Sequence, residues 1–200
     1  MNKKNKAIFL DRDGVINDLV YHSEEGILDS PNSSKEFTLS SNVGISLQKL
    51  HNLGYKLIIV SNQPGIAKGK YTLQEFQKIK NKMEKELIHY KISFDGQYYC
   101  LHHPYAKIKK YKKNCNCRKP KTKLVLDAVH DFNIDLKKSF IIGDGLVDME
   151  LAKKLKCLGI FIGNINSSVN KLFKEKHINP NYIAHDLSKA TTYIKKTLLK

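Results

Sequence analysis

The fold is decided by the stretch Ala7-Ile8-Phe9-Leu10-Asp11-Arg12-Asp13-Gly14-Val15-Ile16-Asn17. Four apolar residues in a row predict a short strand that is buried on both faces, as in a parallel sheet. Side chains two positions apart on an extended chain point the same way, so Asp11 and Asp13 are expected to lie together where this strand ends. Open α/β sheets bind their ligands at the carboxyl ends of the strands, which makes this strand end a candidate site.

The pair of carboxylates allows two interpretations. Adjacent carboxylates repel each other unless a cation or a shared proton relieves them, so the pair suits a hard cation such as Mg²⁺. It also suits a division of labour between a nucleophile and an acid/base. The alternative is an ordinary Asp-Gly turn that closes a strand, and these residues alone do not decide between the two.

Composition predicts a globular chain of modest size. The 200 residues are 41% hydrophobic and 27% charged, and no apolar stretch approaches the length of a membrane span. The apolar run that follows the basic N-terminus is too short for a secretory signal, so we expect a cytoplasmic protein without a membrane partner. The four cysteines then favour a metal site or free thiols over a disulfide framework.

The formal charge of +16 raises the possibility of a nucleic-acid partner. Of the 35 cationic residues, however, only Arg12 and Arg118 are arginines. Surfaces that read bases and clamp phosphates usually rely on the fork of arginine, so we attribute most of the charge to a compositional bias toward lysine. We therefore expect a small-molecule ligand, no nucleic acid, and a monomer.

Strands and helices alternate along the whole chain, which predicts one α/β domain over residues 1–200 with a mainly parallel sheet. Strands are expected near residues 7–10, 56–60, 139–142, 158–162 and 182–184, and residues 95–99 lead into a further strand. Helices are expected near residues 42–53, 72–90, 121–132 and 187–199, and another helix is expected to end at about residue 156. Residues 18–41 have no clear period and are expected to form a long loop or flap beside the site.

Two later strands also end in polar residues. Ser61, Asn62 and Gln63 follow the second buried strand, where the hydroxyl suits binding of an oxyanion and the amides suit orientation of a substrate. Asp144 follows the strand at 139–142, and Asp148 comes one helical turn later, where it also suits helix capping. Asp144 is expected at the same sheet edge as the first carboxylate pair.

The cysteines predict a zinc site. Cys100 and His102 form one pair of ligands, and Cys115 and Cys117 form a second pair after a twelve-residue loop. Four ligands of this kind fit a tetrahedral structural zinc that pins the polar loop at about residues 100–117.

The loop that contains this zinc motif is strongly basic, with nine cations and no acid between residues 107 and 123. Lys119 directly follows the motif and is the candidate for holding the reacting phosphoryl group. Arg118 is the candidate for a second anionic group. Carboxylates, a hydroxyl and an ammonium at neighbouring strand ends together predict Mg²⁺-dependent phosphoryl transfer.

The order of these motifs resembles the haloacid dehalogenase phosphohydrolase superfamily. Within it, residues 9–17, 61–69, 100–104 and 115–120 are similar to the D-glycero-D-manno-heptose 1,7-bisphosphate 7-phosphatase family, of which histidinol-phosphate phosphatase is a near relative. The resemblance runs from about residue 8 to residue 154. It implies a single Rossmann-like domain with helices on both sides of the sheet, a zinc-binding loop and no large cap domain.

The resemblance also implies a role for each matched residue. Asp11 is the nucleophile, and Asp13 protonates the leaving oxygen and then activates water. Mg²⁺ is held by the Asp11 carboxylate, the backbone carbonyl of Asp13 and Asp144, with Asp148 in support. Ser61 and Lys119 steady the transferring oxygens, while Asn62, Gln63 and Arg118 are substrate-binding residues.

Two departures leave the substrate open. Gly145 stands where close relatives often carry a Lys or Arg, and the segment after Asn17 is longer than expected for the enterobacterial type. The alternatives are a phosphatase for histidinol phosphate or another small phosphomonoester and, from a different class, a zinc-containing basic module that binds nucleic acid.

Overall fold

The computed structural model describes residues 4–198 of the chain. The strands and helices, in chain order, are β1 (Lys6–Leu10), β2 (Val20–His22), β3 (Ile27–Asp29), α1 (Val43–Asn52), β4 (Tyr55–Asn62), α2 (Gly65–Lys68), α3 (Leu73–Ile88), β5 (Gly96–Cys100), α4 (Lys123–Phe132), β6 (Phe140–Gly143), α5 (Leu146–Leu155), β7 (Leu158–Ile162), α6 (Ser167–Glu175), β8 (Tyr182–Ala184) and α7 (Leu187–Thr197).

Six strands form one sheet in the order β5-β4-β1-β6-β7-β8, and every neighbouring pair is parallel. The chain runs outward from β1 through β4 to β5, then returns to the other side of β1 with β6. The strand order therefore reverses between β1 and β6, and ligands of such sheets bind in the crevice at this reversal. Asp11 follows β1 and Asp144 follows β6, so both lie at this point.

The two faces of the sheet are both covered by helices. Ile8 and Leu10 of β1 pack in a cluster with residues of α1, α3 and α7, whereas Ala7 and Phe9 pack on the other face with α4 and α5. All four side chains are at most 1% exposed. Burial on both faces explains why this strand reads as an unbroken apolar run.

The predicted fold class is confirmed: the chain is an α/β protein whose parallel sheet lies between helices. The structure adds detail that the sequence had not indicated. Residues 18–41, expected to be a loop or flap, contain the antiparallel hairpin β2–β3, and the helices α2 and α6 had not been predicted. The predicted end of the last helix at Leu199 lies outside the described residues.

A membrane-spanning helix needs a long, apolar segment. Within residues 4–198, none of the helices is both long enough and apolar enough to cross a bilayer.

Candidate active site

Three carboxylates meet at the carboxyl edge of the sheet. Asp11 follows β1, Asp144 follows β6, and Asp148 lies in the first turn of α5; one oxygen from each lies within 4.8 Å of the others. The backbone N–H of Asp11 donates to the carbonyl of Ile142 at 2.9 Å, which continues the β1–β6 ladder and fixes this residue. The structure thus brings Asp11 and Asp144 together, as the strand-end argument had predicted.

The charges in this cluster repel one another. Burial, followed by the charges of Asp11 and Asp148, raises the pKa of Asp144 to about 8. Burial also raises the pKa of Asp148 to about 6, with Lys119 opposing the rise and Asp11 adding to it. A divalent cation would relieve the repulsion, and a set of carboxylate oxygens is the donor set that Mg²⁺ prefers. The residues therefore fit the predicted cation.

Lys119 lies between two of these carboxylates. Its ammonium contacts Asp11 Oδ2 at 2.8 Å and Asp148 Oδ1 at 2.7 Å, and its side chain is 1% exposed. Burial alone would lower the pKa of Lys119, but the two carboxylates outweigh it and raise the pKa above its usual value. The side chain therefore stays charged, and it is a fixed positive group at this edge of the sheet.

Asp148 contacts both the start of α5 and Lys119. The backbone N–H of Gly145 donates to Asp148 Oδ2 at 3.3 Å, which is the capping contact at the start of α5. The other oxygen accepts from Lys119. Asp148 therefore supports the site by holding Lys119 as well as by ordering the turn after β6.

The side chain of Asp13 lies apart from the three-carboxylate cluster. Its Oδ1 accepts hydrogen bonds from Arg12 and from Asn17 Nδ2 (3.0 Å), and its Oδ2 accepts from Gln63 Nε2 at 2.6 Å. Asp11 and Asp13 follow the same strand but have different partners. This difference agrees with two separate roles for the pair.

The polar residues at the end of β4 contact other site residues. Gln63 Nε2 also donates to Ser61 Oγ at 3.0 Å, and both side chains are almost fully buried. The side chain of Asn62 pairs with the backbone of Lys119: its Oδ1 accepts from the Lys119 N–H at 2.9 Å, and its Nδ2 donates to the Lys119 carbonyl at 3.2 Å. Direct contact of Asn62 and Gln63 with a substrate stays a prediction.

Gly14 allows the turn after Asp13 to lie against the carboxylate cluster. Its φ of +74° is in the left-handed region that side chains other than glycine rarely adopt. A Cβ atom at this position would collide with the carboxylate of Asp144. The glycine is therefore needed both for the turn and for the close approach of this turn to the side chain of Asp144.

A second cluster consists of Cys100, His102, Cys115 and Cys117. The Sγ atom of Cys100 lies 3.5 Å from that of Cys115 and 3.2 Å from that of Cys117, and His102 Nδ1 lies 3.4 Å from Cys117 Sγ. One ligand atom from each residue lies within 4.8 Å of the others. These distances suit four ligands around one tetrahedral ion, so the cluster could hold zinc.

The cysteine cluster and the carboxylate site are close in sequence, because Cys117 and Lys119 are separated only by Arg118. Arg118 follows Cys117 and is half-buried, and its Nη1 donates to the carbonyl of His102 at 3.4 Å. Lys119 is next. An ion held by the cluster would therefore fix the part of the chain that carries both basic residues.

Arg12 has no role in the site predicted from the sequence. Its side chain is completely buried and pairs with Asp13. Asn17, the last residue of the opening motif, is also fully buried and contacts the same carboxylate. The scarcity of arginine was the feature that could have indicated a special position for Arg12.

Comparison with known families finds a phosphatase model over most of the chain. The model of the family described as polynucleotide kinase 3 phosphatase matches residues 16–174. This range contains Ser61, the cysteine cluster, Lys119 and Asp144.

Two curated relatives are similar over three quarters of their length. The D-glycero-beta-D-manno-heptose-1,7-bisphosphate 7-phosphatase of Photorhabdus laumondii is 39% identical over 150 residues, which cover 75% of this chain and 76% of that protein. The protein of the same name from Escherichia coli K12 is 37% identical over 152 residues, covering 76% of this chain and 75% of the relative.

A solved structure has the same fold. The D,D-heptose 1,7-bisphosphate phosphatase from B. bronchiseptica, which was crystallised with magnesium and phosphate, matches with a TM-score of 0.78 at 23% identity. The match covers 96% of this chain and 99% of that one.

Proposed function

This chain belongs to the polynucleotide kinase 3 phosphatase family of haloacid dehalogenase-type phosphatases, and we propose that it hydrolyses the 7-phosphate of D-glycero-D-manno-heptose 1,7-bisphosphate. The observation that carries the proposal is the buried ammonium of Lys119 between Asp11 and Asp148, beside Asp144. A nucleophilic carboxylate, acidic cation ligands and a fixed positive charge are the parts that phosphoryl transfer needs. The product would enter the biosynthesis of nucleotide-activated heptose for lipopolysaccharide or capsule.

The reaction has two balanced steps. In the first, an Asp11 oxygen bonds to phosphorus while the bond from phosphorus to the sugar oxygen breaks, and Asp13 gives its proton to that leaving oxygen. This leaves the sugar alcohol and an aspartyl-phosphate on Asp11. In the second, a water oxygen bonds to phosphorus, its proton passes to Asp13, and the bond from phosphorus to Asp11 breaks, releasing inorganic phosphate.

We assign Mg²⁺ to Asp11, the backbone carbonyl of Asp13 and Asp144. When bound, the ion supplies positive charge that offsets the charges of nucleophile and phosphate. Ser61 and Lys119 hold the phosphoryl oxygens, and Arg118 meets the distal phosphate of the bisphosphate. Since Asn62 holds the backbone of Lys119, it supports substrate binding at least by fixing this lysine.

The stability gained from Mg²⁺ is expected to increase with pH. The pKa of Asp144 in the folded protein, about 8, is higher than that of an Asp in the unfolded chain. Protonation of Asp144 therefore stabilises the metal-free fold at low pH, and this stabilisation is lost as the pH rises toward 8. Protons also compete with the cation below pH 8. We expect Mg²⁺ to raise the melting temperature by about 5 to 10 °C at pH 8 and by much less at pH 5.

This pH effect is measured by thermal unfolding with Mg²⁺ and with EDTA at each pH. The control is Asp144→Asn, which cannot ionise at this position. Its unfolding curves with Mg²⁺ and with EDTA are expected to coincide at each pH. An equal effect of Mg²⁺ at pH 5 and pH 8 would show that Asp144 is not the group that the cation relieves.

We propose that the ion in the cysteine cluster is one structural zinc per chain. Cys115→Ser should then lose most of the bound zinc, and the melting temperature should fall by about 10 °C or more. The measurement is metal analysis of freshly purified protein together with thermal unfolding. Cys157→Ser is the matched control, because this buried thiol donates to the carbonyl of Ser139 outside the cluster. Wild-type protein without zinc would contradict the assignment.

We further propose that residues 1–200 act as one domain, as a cytoplasmic monomer without a nucleic-acid partner. Three clustered cysteine thiols are typical of proteins from reducing compartments, which supports this location. The family's description as a polynucleotide phosphatase, together with the charge of +16, makes a nucleic-acid substrate the second candidate.

A substrate panel tests the proposed function. Phosphate release is compared for the heptose bisphosphate, histidinol phosphate and a 3′-phosphorylated oligonucleotide under the same Mg²⁺ concentration. We expect the highest kcat/KM on the heptose bisphosphate, with one phosphate released per sugar. A clear preference for histidinol phosphate or for the oligonucleotide would replace the proposed substrate with that one.

A further inference from the structure

Arg12 is a buried cation that the mechanism above does not use. Its side chain is 0% exposed, and it is among the largest fully buried side chains of the described residues. The chain uses lysine for nearly all of its 35 cationic residues, and its two arginines are sequence neighbours of the site residues Asp11, Asp13 and Lys119. A lysine could supply charge at position 12, but it could not supply the planar fork of a guanidinium.

The fork of Arg12 holds the carboxylate of Asp13 from one side. Nε and Nη2 donate to Asp13 Oδ1 at 3.1 and 2.9 Å, and Nη2 makes a longer contact of 3.2 Å with Oδ2. Asn17 Nδ2 adds a third donor to Oδ1. Oδ1 is therefore saturated with donors, while Oδ2 is the less engaged oxygen.

Gln63 fixes the direction in which Oδ2 faces. Its Nε2 donates both to Asp13 Oδ2 at 2.6 Å and to Ser61 Oγ at 3.0 Å, so this carboxylate oxygen lies on the side of Ser61. The hydroxyl of Tyr71 donates to Gln63 Oε1 at 3.2 Å, which sets the orientation of the amide. Ser61 Oγ accepts from Gln63, which leaves its own proton free to donate to a phosphoryl oxygen.

Stability alone does not account for this arrangement. Within residues 4–198, Asp13 is the one carboxylate in ion-pair contact with Arg12, and the ring of Phe76 lies 5.8 Å from its guanidinium carbon. Its Nη1 is buried and has no hydrogen-bond partner among these residues. Buried ion pairs seldom stabilise a fold more than apolar residues of the same size, so the pair needs another explanation.

We propose that Arg12 is a positioning residue that, together with Gln63, aims Asp13 Oδ2 at the leaving oxygen of the substrate. The proposal rests on the proposed function of the site. Oδ2 carries the proton, gives it to the leaving oxygen when the bond to phosphorus breaks, and receives one from water in the second step. Throughout, the fork holds Oδ1 and keeps the carboxyl group from turning away.

The test is Arg12→Lys, which keeps the charge and loses the fork. Nitrophenolate leaves without protonation, whereas phenolate is a poorer leaving group that needs the acid. We expect the single-turnover phosphorylation rate to fall less than about 5-fold with p-nitrophenyl phosphate and about 100-fold with phenyl phosphate. The heptose bisphosphate should follow phenyl phosphate.

Two variants sharpen this test. Gln63→Met removes the donor to Oδ2 and should give the same dependence on the leaving group with a smaller loss, which keeps the proposal testable if Arg12→Lys does not fold. Lys109→Met is the control, because Lys109 is exposed and makes no ion pair among residues 4–198: it should leave the rates with both aryl phosphates and with the bisphosphate unchanged. Melting temperature and zinc content verify the fold of each variant.

Several outcomes would overturn the proposal. Folded Arg12→Lys or Gln63→Met with equal losses on both aryl phosphates would show a merely structural role, and wild-type rates on both would show no role. Failure of the proposed function gives a different result, because wild-type protein would then not hydrolyse the heptose bisphosphate. The ratio of the rates with the two aryl phosphates would still test the positioning role of Arg12.

Discussion

Asp11→Asn is expected to reduce kcat by at least about 10⁴-fold on every phosphomonoester, because the amide cannot form the bond to phosphorus. The fold should survive the change. Asn has the same shape, and it removes one of the charges that repel Asp144 and Asp148. The measurements are steady-state phosphate release and thermal unfolding of the same preparation.

The matched control for this variant is Asp127→Asn. Asp127 is an exposed residue of α4 that pairs with Lys123 and lies outside the carboxylate cluster, so its neutralisation should leave kcat and the melting temperature unchanged. Full activity in Asp11→Asn would show that this carboxylate is not the nucleophile. The residues after β1 would then be explained by the alternative, an ordinary Asp-Gly turn that closes a strand.

Lys119→Met is expected to affect activity and stability together. Removal of the ammonium takes away the positive charge for the phosphoryl group, so kcat/KM should fall by about 10³-fold. It also leaves Asp148 and Asp11 without their buried partner, which should cost roughly 3 kcal/mol of unfolding free energy. Kinetics and denaturant unfolding measure the two effects separately.

A double variant separates the two roles of Lys119. In Lys119→Met with Asp148→Asn, the unpaired buried carboxylate is removed as well, so part of the stability should return while activity stays low. Lys109→Met is the control on the same basic loop, since Lys109 is exposed and makes no ion pair among residues 4–198. If Lys119→Met were as stable and active as wild type, the buried ion pairs would have no part in the site.

The strand ends could be predicted from the sequence because parallel strands have a simple geometry. An apolar run followed by Asp11, another by Ser61 and a third by Asp144 must bring these residues to one edge of a sheet. The cysteine cluster was predictable for a similar reason, since the spacing of its ligands leaves few other arrangements. Both predictions depend on local pattern and on the topology of a parallel sheet.

Other contacts depend on tertiary packing and could not be read from the chain. The sequence alone does not indicate that Arg12 is fully buried, because its burial depends on the pairing with Asp13 inside the folded site. Leu73 has helical spacing with the buried Phe76 and Ile79, but it is the first residue of α3 and is 53% exposed. Helix α6 is nine residues long and buries only Phe173, so it has few core positions from which it could be predicted.

The central claim is that Asp11 carries the phosphoryl group during turnover. Rapid mixing of the Mg²⁺-loaded enzyme with p-nitrophenyl phosphate, followed by acid quench and peptide mass spectrometry, measures this directly, because acyl phosphates of this kind form only by attack of a carboxylate on phosphorus. We predict one phosphoryl group on the peptide that contains Asp11, and none in Asp11→Asn. Turnover without a phosphorylated enzyme, or with the phosphoryl group on another residue, would contradict the account.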